Sequence, residues 1–150
     1  MTAKEILIET VEYYGTHNTG YDNGYCVYKT DKGAMCAVGR CLAESAMERA
    51  ADISGNIEEL IDTLSREKHL HSSHDEALKP EYHGKTLAFW NVMQQFHDQY
   101  LARLEQEGVD PRYLLDGMPT TSLMEHAQKM YDRILGLAEK GAYDLKGEEV

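Results

Sequence analysis

Positive charge is what this chain has least of: 15 lysines and arginines stand against 26 aspartates and glutamates, a net charge of −11. A protein held on nucleic acid by phosphate contacts needs clustered Lys and Arg, so direct nucleic-acid binding is not expected. Long apolar runs are missing too. None approaches the ~20 residues of a spanning helix, and Met1-Thr2-Ala3-Lys4-Glu5 lacks the basic-then-apolar order of a secretory signal. The expectation is a cytoplasmic protein with no membrane association. Cysteine is scarce and odd in number, three in all, which points to free thiols in a reducing compartment. Internal repeats, low-complexity segments, phosphate-cradling glycine loops and a Ser/His/Asp set are also lacking.

What is present suits one domain. At 150 residues, with 42% hydrophobic and 27% charged residues, the chain can close a single core. An acidic surface then has three uses: solubility, a basic partner, or mimicry of nucleic acid.

The stretch from Tyr25 to Leu42 holds all three cysteines and the clearest strand pattern. Cys26 to Lys29 alternates as a half-buried strand does. Asp31, Lys32 and Gly33 suit a three-residue hairpin loop, with Gly33 free to take the left-handed conformation. Thr30 then faces Ala34, and Tyr28 faces Cys36, so that Cys26, Tyr28 and Cys36 share one face. A two-residue loop would throw the cysteines to opposite faces. A ribbon of this size is marginal alone and needs helices to lie against.

Those helices are readable from their starts and stops. Thr2 and Glu5 have capping-box spacing, with Ala3, Leu7, Val11 and Tyr14 on one face and Gly15 at the end. Thr16 to Gly24 is loop by composition. A second helix follows Cys36 through Val38, Cys41 and Leu42 to about Ala51. A third starts at Asn56 with Glu59, carrying Ile57, Leu60, Ile61 and Leu64. Lys68 to Lys85 is a polar linker. Thr86 to Glu107 is the longest helix, with Phe89, Val92, Met93, Phe96, Tyr100 and Leu104 on one side and Gly108 as its stop. Asp110 caps a short turn that Pro111 begins. Ser122 and Glu125 form a third capping box for the last helix, which runs to Gly141 on Leu123, Ala127, Met130, Ile134 and Ala138. The expected fold is α+β: a predominantly helical domain over residues 1–142 with one β-hairpin packed on it, 109–142 as a C-terminal helical addition, and an acidic tail from 143 to 150.

Two sets of residues carry candidate chemistry. Cys36, at a strand-to-helix junction, is placed for a lowered thiol pKa, with His97 as base and Asp98 as orienting carboxylate. Against that set, consecutive helical residues point about 100° apart, which turns Asp98 away from His97. Cys26 and Cys36 with His97 are the candidate zinc ligands, although the paired close spacing of zinc motifs is missing. His69, His71, His74 and Asp75 look metal-like but suit a polar loop. The His97-Asp98 doublet with His69 or His71 and Asp132 can be forced into the order of helical metal phosphohydrolases. The commoner role of His97 is that of a hydrogen-bonded core histidine holding backbone. Tyr21, Tyr25 and Tyr28 are candidate binding residues, apolar in area and polar at the tip.

The combination of Cys26, Tyr28 and Gly33 with Cys36-Ala37-Val38-Gly39, then Gln94 or Gln95 ahead of His97-Asp98, resembles a family of small uncharacterised proteins of tailed-phage and bacterial genomes. The likeness covers roughly the first two thirds of the chain. It departs at Arg40 and Cys41, and Val109 onward lies beyond it. The resemblance implies an accessory protein of phage type and lends no activity. The expected function is a non-enzymatic binding protein that modulates a host factor through its acidic surface, needs no cofactor and meets a basic protein partner. The alternative is a cysteine-dependent hydrolase or zinc protein using Cys36 and His97.

Overall fold

A computed structural model describes residues 1–17, 19, 37, 40–43 and 78–145, together with the backbone of 21–22, 25–26 and 39. Helix α1, Ala3–Tyr14, opens on the expected capping box: Thr2 Oγ1 accepts from the Glu5 amide at 3.1 Å, and the Glu5 carboxylate accepts from the Thr2 amide at 2.8 Å. These bonds hold the Glu5 carboxyl below its usual range. Helix α1 buries Ala3, Ile6, Leu7, Thr10, Val11 and Tyr14, a stripe at helical spacing.

Gly15 closes α1 in ordinary right-handed backbone, φ −71°. The glycine is there for space: a Cβ at this position would lie 2.4 Å from Arg112 Nε. Arg112 crosses this spot while paired with Asp110. The 3-10 turn Pro111–Asp116 that carries Arg112 begins as expected, with Asp110 accepting from the Arg112 amide and proline at the first position.

The long helix expected over 86–107 is three pieces. Thr86 caps α2, Leu87–Phe96; a π-helical turn spans His97–Leu101; and α3 is Ala102–Gln106. In the π turn the Ala102 amide reaches back five residues to the His97 carbonyl. The extra residue shifts the buried face. Phe96 and His97 are followed inside by Leu101 and Ala102, while Tyr100, expected on the apolar arc, is only half-buried.

Helix α4, Ser122–Glu139, is capped by Thr121, whose hydroxyl accepts from the Met124 amide at 3.1 Å. The cap thus sits one residue before the expected Ser122, because Thr121 holds the extended backbone a cap requires. Its inner stripe is Leu123, Met124, Ala127, Met130, Tyr131 and Ile134. Helix α1 packs on the 3-10 turn and α4, and α2 with its π turn packs on α4. One core joins them, with Phe89, Trp90 and Phe96 among its largest wholly buried side chains.

The α+β expectation is corrected: the described residues make an all-helical fold. Extended pairing among them amounts to Tyr21–Asp22 against Tyr25–Cys26, two residues a side, and two isolated bridges. That pairing meets the expected first strand only at Cys26, and so short a contact is no architectural layer. The expected loop at Asp31–Gly33 and the return segment Ala34–Cys36 lie outside the described residues, as does the expected helix from Asn56. The end of the supposed polar linker is core. Leu78 bridges Leu42, the 3-10 turn Pro80–Tyr82 buries Tyr82, and Lys85 bridges Asp144. Tyr143 is buried too, and the Leu145 amide donates to the Gly84 carbonyl at 2.9 Å. Among the described residues no helix is long and apolar enough to cross a membrane.

Candidate functional site

Two buried polar clusters stand out among the described residues. The first surrounds His97, which the first residue of the π turn places in the core with no exposed surface. Its Nδ1 lies 2.8 Å from Asp98 Oδ1, and its Nε2 bonds the Thr19 backbone carbonyl. A carbonyl only accepts, so Nε2 carries a hydrogen. Both ring nitrogens are thus engaged by groups of the protein itself. The Tyr14 ring packs edge-on at 5.1 Å, and Gln94 Nε2 donates to the same Asp98 oxygen at 2.8 Å.

This corrects the expectation that Asp98 cannot hold the His97 ring. The 100° rotation describes where Cβ atoms point, whereas a carboxylate and an imidazole on adjacent residues can still fold toward each other. The core-histidine expectation fits the observed bonds, with the Thr19 loop rather than the hairpin as the backbone held. Glu105, two turns further on, accepts from the Thr19 amide at 2.7 Å and from its hydroxyl at 3.2 Å, so both faces of that loop residue are fixed. A hollow of about 380 Å³ lined by Tyr14, His17, Leu101 and Glu105 lies beside this cluster, but His97 does not open into it.

The second cluster surrounds Arg40, which the sequence pattern does not single out. Its guanidinium donates to Glu9 Oε1 at 2.7 Å, to the Tyr82 hydroxyl at 3.3 Å and to Thr10 Oγ1. Tyr82 in turn donates to Glu9 at 2.8 Å. The Tyr13 and Tyr82 rings stand 5.3 and 5.8 Å from the guanidinium carbon, a cation–π pair of contacts. Arg40 Nε finds no acceptor among the described residues. Next to it Cys41 is fully buried and donates weakly to the Ala37 carbonyl. Burial pushes its thiol up to about 12 despite the neighbouring Arg40 charge, and pushes the Tyr82 phenol well above its ordinary value. A thiol so placed is inert filling. The one signal that could have pointed to Arg40 is its position beside buried Cys41 and Leu42 at the end of an apolar run.

Of the other candidates, Cys36, Tyr28, His69, His71, His74 and Asp75 lie outside the described residues, and for Tyr21, Tyr25 and Cys26 only the backbone is described. Asp132 is exposed on α4 and accepts from Gln128 at 3.0 Å, away from any histidine bond. Among the described residues no three His, Cys, Asp or Glu side chains gather as metal ligands would.

No protein-family model matches the chain, nor does any curated protein or solved structure. The family likeness of Cys26 to Gly39 and His97-Asp98 therefore rests on those residues alone.

Proposed function

We propose that this protein is a non-enzymatic binding protein, of the accessory kind found in phages, that modulates a basic host protein through its acidic surface. The observation that carries this reading is the state of its surface carboxylates. The side-chain carboxylates of Glu12, Glu81, Glu107, Asp116 and Glu125 belong to exposed residues and accept no hydrogen bond or ion pair among the described residues, in a chain of net charge −11. Charge left unpaired on a surface steers encounter with a partner of opposite sign. What weighs against the rival reading is that both ring nitrogens of His97 are bonded to protein groups and its ring is buried.

Affinity capture from bacterial host extract, followed by purification of the captured protein, supplies the test. The expected partner is basic, and its dissociation constant rises roughly tenfold or more between low and physiological salt. Glu12→Lys with Glu125→Lys weakens it further. A partner whose affinity ignores both salt and these substitutions overturns the reading.

A further inference from the structure

Where α2, the π turn and α3 meet α4, the hollows are lined, among the described residues, by two arginines and one carboxylate, in a chain whose net charge is −11. Two hollows, of about 360 and 160 Å³, share Tyr100 as a common wall. Arg103 and His126 line the larger and Arg133 the smaller. Six arginines occur in the sequence, and the side chains of Arg40, Arg103, Arg112 and Arg133 are described. Arg40 and Arg112 are paired with carboxylates. The two that form no ion pair among the described residues are the two in these hollows. Glu107 is the one carboxylate lining either hollow among the described residues.

We infer that this groove is a docking site for a short acidic peptide segment of a partner protein. Tyr100 is there because the π turn moved Leu101 into the core and left the phenol at the surface. It provides an aromatic wall with a polar tip. Arg103 and Arg133 offer the planar fork that grips a carboxylate with two bonds. Gln95 and Gln99 stand exposed along the same wall, able to donate to and accept from an extended backbone. The groove spans about 20 Å of helix, from Val92 to Glu107, which about seven extended residues would cover. Size decides the class of occupant. At physiological salt charges farther than about 8 Å are screened, so a short acidic segment meets chiefly the two arginines. A long polyanion such as nucleic acid would run onto the surrounding carboxylates.

Selection of a random peptide library, about eight residues long, against the immobilised full chain at physiological salt tests this. Enriched peptides should be acidic, and synthetic copies should bind roughly tenfold more weakly to Arg103→Ala/Arg133→Ala. That variant should keep the wild-type unfolding temperature, because both side chains are exposed. The lysine pair Arg103→Lys/Arg133→Lys should recover some of the binding. Failure to enrich, enrichment of neutral or basic peptides, or equal binding by the alanine variant would each overturn the assignment. So would displacement of the peptide by a single-stranded oligonucleotide of equal charge at equal concentration. The proposal stands independently of the basic partner proposed above, which is tested by the opposite charge change at Glu12 and Glu125, neither of which lines these hollows.

Discussion

Arg40 and His97 are both shut away from solvent, and each leans on a carboxylate that is not. The Arg40 side chain is 4% exposed and Glu9 36%; His97 is 0% exposed and Asp98 40%. The difference lies in how much else each needs. Arg40 keeps its charge at any ordinary pH, so it gathers a carboxylate, two hydroxyls and two aromatic faces from α1 and the Pro80–Tyr82 turn. Among the described residues His97 bonds one carboxylate and one carbonyl, tying Thr19 to the π turn, and packs against the Tyr14 ring of α1. A permanent buried cation gathers three hydrogen-bonding side chains, whereas the buried imidazole bonds one side chain and one backbone carbonyl among the described residues.

That contrast can be broken by substitution. Arg40→Ala should be the most damaging change, about 3–5 kcal/mol in urea unfolding, because it leaves Glu9, Thr10 and Tyr82 without their shared donor. A loss below about 1 kcal/mol would show that the cluster is not a keystone. His97→Ala should cost less, about 2–4 kcal/mol for two hydrogen bonds and the packing against Tyr14. Were its cost the larger, the ranking of the two anchors would be reversed.

The Arg40 side of the comparison also has a pH signature. Cys41 and Tyr82 have folded pKa values raised above their unfolded ones, so the folded state favours their protonated forms. The stability they contribute is intact below the ordinary thiol value of about 9 and is lost as pH climbs toward 12. Unfolding temperature against pH should fall in that alkaline window, and fall less steeply in Cys41→Ala. In the folded protein Cys41 should also resist alkylation up to pH about 9 and react at once in urea; ready labelling of Cys41 in the native state would contradict its burial.

The smallest effect is expected at Gly15. An alanine there gains about 1 kcal/mol of helix propensity but displaces Arg112 from Asp110, an exposed pair worth about 0–1 kcal/mol. The net change in unfolding free energy should stay within about 1 kcal/mol of zero. Arg112→Ala should then make Gly15→Ala more favourable, which a double-mutant cycle would read.

How much of this is legible in the sequence depends on distance along the chain. Thr2 with Glu5, Thr86, and Asp110 with Pro111 are signals within a turn of the groups they serve, and each marks a helix start that the structure has. The π turn is not legible, since nothing in the local alternation around His97 marks an extra residue. Arg40 escapes for a related reason. A charged residue is read as surface unless its partners are in view, and Glu9 and Tyr82 stand 31 and 42 residues away. The hairpin expected from Cys26 to Cys36 rests on a short alternation and the turn residues Asp31 to Gly33, and the described residues build their core from helices.

Near Lys85 several distant segments of the chain are fastened at one corner. The Met1 ammonium donates to the Glu81 carbonyl at 2.9 Å, Lys4 pairs with Glu139, and Leu145 is hooked to Gly84. A pull applied between Met1 and Leu145 would therefore load those fastenings first.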